Sequence, residues 1–490
     1  MTGMAPSRTR TAPSTASAAV RPVRPWVVVL AACAGTFLVV LDVSVVNVAL
    51  PSMRADLGMS AAALQWVVNA YSIAFSGFML LGGRAADLYG RKRMFLLGLG
   101  LFTAASVAGG LAQEGWQLLA ARAVQGLGAA VLSPATLTLV TGAVPEGPAR
   151  TRAIGTWAAV GAGGGAAGGL VGGLLTELLN WRWVLLINVP VGVLVMAGAA
   201  VWVREARTGG GRRLDLPGAV LVTGGLAAFA YGIVQTEQTG WTDPRTLLPL
   251  IGGLALLAVF VAVEARTREP LMPLKVFRAR AVAAANVALF VMGSATFAMW
   301  FFMTMYAQNV LGYTPLQAGL ALVPSSVSVI VGSKVSPRLM PLLGARRLAV
   351  TGALITAAGF AWQSLMRVDG AYVTEILVPG VLMMTGVGLV ITPLATMATS
   401  GAAPGDAGLV SGLVNTSRTM GGAVGLAFLA TVAASRTAGA TTPEALTAGY
   451  ALAFRTGTGV VLAAAALMLL WLPRPAAVTP PTAEGARPRR

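Results

Sequence analysis

The chain alternates long apolar stretches with short polar breaks from residue 26 to residue 472. The apolar stretches are about 20 residues long, the length that a helix needs to cross a bilayer core about 30 Å thick. The breaks contain glycine, proline and charged residues, as helix boundaries do. The pattern predicts an all-α polytopic membrane protein with fourteen transmembrane helices, which we number spans 1 to 14: 26–50, 62–82, 94–112, 116–141, 153–176, 183–203, 216–234, 246–263, 281–307, 316–335, 348–366, 374–397, 408–434 and 450–472.

Composition limits the chemistry that the chain can perform. Hydrophobic residues make up 56% and charged residues only 11%, far from the roughly 25% charged residues of soluble domains. The chain has no histidine and one cysteine, Cys33. Zinc sites, disulfide frameworks and histidine-dependent hydrolases are therefore excluded, and we find no nucleotide-binding loop. We expect no enzyme activity, no metal and no cofactor.

The arginines and lysines predict the orientation. Most of them fall in the segment before span 1 and in the segments after the even-numbered spans, including the tail after span 14. The positive-inside rule therefore places both termini in the cytoplasm. This distribution accounts for the net charge of +18 without a nucleic-acid partner. Residues 1–25 and 473–490 are poor in large apolar side chains, and we expect them to form a disordered cytoplasmic N-terminus and tail.

Asp42 is the one acid deep inside a predicted span, where a carboxylate costs about 2.5–3.5 kcal/mol to insert. Counting about 1.5 Å per residue places Asp42 about 12 Å and Arg122 of span 4 about 9 Å from the outer edge. A carboxyl beside a guanidinium, in a cavity whose water access varies, can load and release a proton, so we assign proton coupling to Asp42 and Arg122. The alternative is a purely structural ion pair, or packing through Ser44 and Asn47.

Several segments carry a family resemblance. GGRAADLYGRKR (82–93) resembles the signature loop of the major facilitator superfamily, and LDVSVVNVALP (41–51) resembles the first-helix motif of its fourteen-span drug:proton antiporter family. Further matches to this family are LQWVVNAYSI (64–73), RAVQGLGAA (122–130), NWRWVLLINVPVG (180–192), EPLMPLKVFRAR (269–280), VLGYTPLQAGLALVP (310–324) and AGLVSGLVNTSRTMGGAVG (407–425).

The resemblance implies two six-helix bundles with an inserted helix pair. The N-terminal bundle takes residues 26–203, spans 7 and 8 with their loops take 204–280, and the C-terminal bundle takes 281–472. The signature loop implies a conformational gate in which glycines allow a tight turn and charges pair between helix ends. Its residues are Gly83, Asp87, Gly90, Arg91, Lys92 and Arg93.

Span 5 is rich in glycine, and small residues three and four apart let helices approach closely and slide. We expect Gly164, Gly168, Gly172 and Gly173 to pack at the interface between the two halves.

The substrate cavity is predicted from polar and aromatic residues within the spans. An adaptable apolar cavity suits neutral or singly charged amphipathic molecules. Arg418, near the middle of span 13, is expected to hold a substrate dipole or anion, or to neutralise a helix C-terminus. The other candidates are Asn47, Trp66, Asn69, Tyr71, Trp300 and Tyr306.

These features predict a secondary active transporter that works by alternating access and exports hydrophobic or amphipathic drugs or metabolites in exchange for protons. The alternatives are a proton-coupled uptake permease and a non-transporting membrane sensor. Lysine is rare beside arginine, and alanine and glycine abound, which indicates a GC-rich bacterial genome and hence a bacterial cytoplasmic membrane. The expected partners are the lipid bilayer, protons and a small molecule, with no obligate protein partner.

Overall fold

The computed structural model describes residues 25–145, 148–203, 205, 215–267, 270, 274–399, 407–437 and 439–473. Within these residues the secondary structure is helical, with no strand. Both termini are predicted to be disordered, and all but one residue of each, 1–24 and 474–490, lie outside the described residues.

All fourteen apolar stretches form helices, three of them interrupted. Span 6 is divided at Ile187, span 10 at Leu322, and span 12 begins with a π-helical turn, Val373–Leu377. The bounds are Pro25–Leu57, Ala61–Tyr89, Arg91–Gly110, Gly115–Ala143, Pro148–Leu178, Trp183–Leu186 with Asn188–Trp202, Leu216–Thr239, Pro244–Arg266, Arg280–Asn309, Pro315–Ala321 with Val323–Leu343, Ala345–Gln363, Val373–Leu377 with Val378–Thr399, Ala407–Thr437 and Pro443–Trp471.

Thirteen of the described helices are long and apolar enough to cross a membrane by length and composition. The remaining helix is span 11, Ala345–Gln363, which packs against spans 12 and 14. Because spans 12 and 14 are themselves among the thirteen, span 11 belongs to the same bundle despite its less apolar sequence.

Capping explains why several helices begin where they do. Ser60, Thr314 and Thr442 each accept a hydrogen bond from the backbone N–H three residues later, which satisfies a donor that the first helical turn leaves free. Proline follows Thr314 and Thr442, where its missing N–H costs nothing. Span 14 therefore begins at Pro443, ahead of the predicted residue 450.

Span 1 also exceeds its prediction. We expected it to end at residue 50, before Pro51, but the helix continues through Pro51 to Leu57. The last turn gains contacts from the segment just before span 6, because Asp56 accepts hydrogen bonds from Trp181 Nε1 at 2.9 Å and from Arg182 Nη1 at 2.6 Å.

The helices pack as two groups. Span 1 packs against spans 4, 5 and 6, and span 4 also packs against spans 2 and 3. In the second group, span 9 packs against spans 12, 13 and 14, and span 12 also packs against spans 10 and 11. Span 7 packs against span 8 and contacts spans 2 and 13, one from each group.

The two groups meet closely at the end of the bundle that carries the loop between spans 1 and 2, which we call the loop 1–2 side; the opposite end is the loop 2–3 side. On the loop 1–2 side, Gln308 Nε2 of span 9 donates to the Val48 carbonyl at 2.7 Å. The Leu316 N–H of span 10 donates to Glu177 Oε2 of span 5 at 3.2 Å. The groups are thus held together there by direct polar contacts.

Candidate proton-coupling and substrate sites

Asp42 and Arg122 form a direct ion pair in the interior of the first group. Arg122 Nη1 lies 2.7 Å from Asp42 Oδ2, and the two side chains are 2% and 0% exposed. Counting residues along two antiparallel spans correctly placed them at the same depth. Their complete burial separates this pair from solvent-screened surface ion pairs.

Two amide side chains complete the surroundings of Asp42. Gln125 Nε2 donates to Asp42 Oδ1 at 2.8 Å, and Asn188 Nδ2 donates to the same oxygen at 2.9 Å. Gln125 also donates to Ser106 Oγ at 2.8 Å. The carboxylate therefore accepts three hydrogen bonds from spans 4 and 6, and Ser106 extends the network to span 3.

The Arg122 guanidinium also has several hydrogen-bond partners. Its Nε donates to the Val67 carbonyl of span 2 at 3.0 Å, and its Nη1 donates to Gln125 Oε1 as well as to Asp42. The ring of Tyr71 lies beneath it, with the centroid 4.3 Å from Cζ, a cation–π arrangement. The network thus joins spans 1, 2, 3, 4 and 6 around one positive and one negative charge.

The charge on Asp42 contributes to the packing of the helices around it. A buried charge is tolerated only while it is paired and hydrogen-bonded, so neutralising Asp42 would leave the Arg122 charge uncompensated. The neighbouring donors would then lose their strongest acceptor. Removing the charge of Asp42 would therefore disturb the packing of spans 1, 4 and 6.

Arg418 lies in different surroundings. It lines a cavity of about 30 Å³ between spans 9, 12 and 13. The other lining residues are mainly apolar: Leu289, Met292, Gly293, Thr296, Phe297, Val387, Val390 and Ile391. In this conformation the cavity has room for little more than a water molecule.

The remaining cavity candidates on spans 1 and 2 lie outside this cavity. Asn47 Nδ2 donates to the Val43 carbonyl of its own helix at 2.9 Å. The ring centroid of Trp66 lies 6.3 Å from that of Tyr231 on span 7, so Trp66 packs against the inserted pair. Asn69 is fully buried, and neither of its amide atoms has a partner among the described residues.

The candidates on span 9 also lie elsewhere. Tyr306 is fully buried, and its hydroxyl donates to the Arg367 carbonyl at 2.6 Å, near the loop 1–2 side. Trp300 is partly buried against the hydrophobic core of the second group. An aromatic pattern alone did not distinguish cavity-lining side chains from packing ones, because both belong to apolar helix faces.

The signature loop makes contacts with two neighbouring spans. Gly90 has a φ of 104°, a left-handed conformation that favours glycine, and it joins span 2 to span 3 in a single residue. Arg91 Nη1 donates to the Thr138 carbonyl at 3.1 Å, and Lys92 Nζ donates to the Ala200 carbonyl at 2.6 Å. Gly83 lies beside Pro134 of span 4.

Glu205, just after span 6, supplies the loop's acidic partner. Its carboxylate accepts from the backbone N–H groups of Lys92 and Arg93, both at 3.2 Å, and lies 3.7 Å from Arg93 Nε. It thereby satisfies two free donors at the start of span 3. We had expected Asp87 in this role, but the Asp87 side chain lies outside the described residues.

The glycines of span 5 require a correction. Gly164, Gly168 and Gly172 face span 1 of the same group, where an added Cβ would crowd Phe37, Ser44 and Val45 respectively. Of the four predicted glycines, Gly173 alone contacts the other group, since a Cβ added there would lie 2.6 Å from Leu316 Cα of span 10. Residues four apart share one helix face, so Gly164, Gly168 and Gly172 all face span 1. The adjacent helix face, which carries Gly169 and Gly173, contacts span 10.

The sequence prediction missed Gln125, Asn188 and Glu205. Gln125 and Asn188 lie within the quoted motifs RAVQGLGAA and NWRWVLLINVPVG, and each is a buried polar residue in an apolar span. Gln125 lies three residues after Arg122, on the same helix face, which is a signal that could have been used. Among the residues that the structure describes, no cluster of acidic or cysteine side chains could hold a metal ion.

The described residues form a polytopic helical bundle with a buried ion-pair network and a cavity lined by an arginine. The chain belongs to the Major Facilitator Superfamily, whose family model matches residues 32–426.

Relatives and a solved structure agree with this assignment. The chain is 49% identical over 454 residues to a cephamycin export protein of Amycolatopsis lactamdurans, covering 92% of this chain and 93% of the relative. It is 39% identical over 456 residues to a puromycin resistance protein of Streptomyces alboniger, covering 91% and 90%. A bacterial homologue of the human lysosomal transporter Spinster, in an inward-facing and unoccupied conformation, matches with a TM-score of 0.65 at 18% identity over 92% of this chain and 98% of that chain. At that identity the structural likeness shows the fold alone.

Proposed function

We propose that the protein exports antibiotics or other amphipathic metabolites across the bacterial cytoplasmic membrane in exchange for protons. The similarity to export and resistance proteins supports the substrate class and the direction. The observation that carries the proton coupling is the fully buried Asp42, held by Arg122, Gln125 and Asn188. A transporter driven by nucleotide hydrolysis would not need a titratable carboxylate inside a membrane-spanning helix.

Span 1 connects the protonation site to the interface between the halves. Asp42 lies on span 1, and about two turns further along, the Val48 carbonyl accepts from Gln308 of span 9. A proton that neutralises Asp42 loosens span 1 from spans 4 and 6, and the same helix then shifts its contact with the second half. This coupling follows the rocking of two halves around a central site.

The basic loops favour an orientation with both termini and the loop 2–3 side in the cytoplasm. The polar contacts on the loop 1–2 side then close the exterior, so the conformation described corresponds to an inward-facing or occluded stage of the cycle. In that stage Asp42 is fully hydrogen-bonded as a carboxylate. The outward-facing stage is where we expect it to take up a proton.

The experiment is efflux in everted membrane vesicles with an imposed pH gradient, acidic inside. Amphipathic fluorescent dyes report substrate movement and a pH-sensitive dye reports proton return. We expect wild-type protein to accumulate dye while protons leave, and Asp42→Asn to abolish proton-driven accumulation because residue 42 no longer titrates. The same dyes should still bind to Asp42→Asn, which shows that it is folded.

Asp56→Asn is the matched control, because Asp56 is an acid on the same helix that pairs with Arg182 outside the buried network. It should keep proton-driven accumulation. Wild-type coupling in Asp42→Asn would refute the assignment of Asp42. Dye leaving the vesicles together with protons would establish uptake instead of export.

A further inference from the structure

Arg418 is a charge without a partner at the centre of the second half. Among the described residues no hydrogen bond or ion pair to its guanidinium is found. Its only described surroundings are the cavity between spans 9, 12 and 13. An isolated charge in an apolar medium is unfavourable, so a residue of this kind needs a counter-ion at some stage of the transport cycle.

The neighbouring spans do not supply that counter-ion. Span 13 packs against spans 2, 7, 9, 12 and 14. Within the described helices of these spans, every acidic residue lies within three residues of a helix end: Asp87, Glu237, Glu375 and Glu444. Glu375, moreover, lies 3.5 Å from Arg367. Asp42, an acid buried within span 1, already pairs with Arg122.

The lining of the cavity indicates the chemistry of the rest of the ligand that carries the negative charge. Leu289, Met292, Phe297 and Ile391 present apolar and polarizable side chains around the guanidinium. A ligand that fits both features has a hydrophobic body and one negatively charged group. The planar guanidinium fork matches a carboxylate, which it binds through two parallel charge-assisted hydrogen bonds.

We propose that Arg418 is the counter-ion for exported substrates that carry a carboxylate on a hydrophobic body. The proposal rests on the efflux function and names its substrate class. A cavity of about 30 Å³ is far smaller than the roughly 300–1,000 Å³ of ordinary ligand sites, so the substrate-bound state is a wider one. Gly293 of span 9 packs against the Arg418 backbone, and spans 9 and 12 must move away from span 13 to admit the ligand.

The test compares two probes with the same hydrophobic body, N-dansyl-phenylalanine and its uncharged methyl ester. Binding is measured by fluorescence with the full-length protein in nanodiscs of zwitterionic lipid. We expect wild-type protein to bind the acid at least about tenfold more tightly than the ester, as a charge-assisted bidentate contact allows. In Arg418→Gln this preference should disappear, and Arg418→Lys should keep part of it because the charge remains but the fork is lost.

Arg436→Gln is the control, since Arg436 is an exposed arginine in the last turn of the same helix, and it should keep the full preference. Gel filtration and thermal unfolding check that each variant is folded. Equal binding of acid and ester to wild-type protein, no binding of either probe, or an acid preference that survives in Arg418→Gln would each overturn the proposal. Efflux of an uncharged dye by wild-type vesicles tests the export function independently, so failure of one can be distinguished from failure of the other.

Discussion

Each half of the molecule carries an arginine within a membrane-spanning helix, but the two have opposite surroundings. Arg122 in the first half is compensated by Asp42, bonded to Gln125 and the Val67 carbonyl, and covered by the Tyr71 ring. Arg418 in the second half lines a cavity and has no partner among the described residues. The first half neutralises its charge with its own side chains, and the second half leaves its charge available to a ligand.

This difference suggests a division of labour between halves that share one architecture. In the function proposed above, the compensated pair responds to a proton, because Asp42 is the member that can be neutralised. An uncompensated cation responds to an anion. The contrast is measurable as stability, since breaking a buried pair and removing a lone charge have different thermodynamic consequences.

The largest effect is expected from Asp42→Leu. This change leaves Arg122 buried without its counter-ion, and arginine cannot lose its charge. Breaking a buried pair in this way costs about 3–5 kcal/mol. We expect a corresponding loss in the free energy of unfolding, measured by titrating SDS into mixed micelles.

The double variant Asp42→Leu/Arg122→Met is the control for that measurement, because it removes both charges. It should recover at least half of the lost stability. If the double variant were less stable than Asp42→Leu, the pair would not be the source of the effect, and the comparison between the two arginines would lose its basis.

A smaller effect is expected for a glutamine of the first half than for the ion pair itself. Gln125→Leu removes a donor to Asp42 and the link to Ser106, leaving buried polar atoms unsatisfied at about 1–3 kcal/mol. Gln363 of span 11 is a matched control in the second half, since it is fully buried and neither amide atom has a partner among the described residues. Gln363→Leu should leave the unfolding free energy unchanged or raise it. Equal losses at both positions would show that polar networks do not distinguish the halves.

How far the sequence predicts these sites depends on what each prediction requires. The spans and the matched depth of Asp42 and Arg122 need only helix length and rise per residue, and both were obtained. The direction of a side chain around its helix also requires the packing partners. For that reason Asn188 was missed, and Gly164, Gly168 and Gly172 were assigned to the wrong interface.

Helix ends show the same limit. Span 1 continues past Pro51 because contacts from Trp181 and Arg182 hold its last turn, and these residues are distant in sequence. Glu205 caps span 3 from beyond span 6 for the same reason. Local patterns predict where a helix can end, and tertiary contacts determine where it does.

The smallest effect, and the sharpest contrast with Asp42→Leu, is expected from Arg418→Met. Methionine keeps an unbranched apolar stem in the cavity and removes only the charge, which has no described partner to be left behind. The free energy of unfolding should stay within about 1 kcal/mol of the wild-type value or rise, because replacing buried charge by apolar side chains is often neutral or stabilising. Arg122→Met, measured alongside, should be clearly destabilising, since it breaks the ion pair and removes the donor to Gln125 Oε1 and to the Val67 carbonyl. A loss for Arg418→Met as large as that for Arg122→Met would mean that Arg418 already has a structural counter-charge, and a substrate carboxylate would then have no vacant cation to bind.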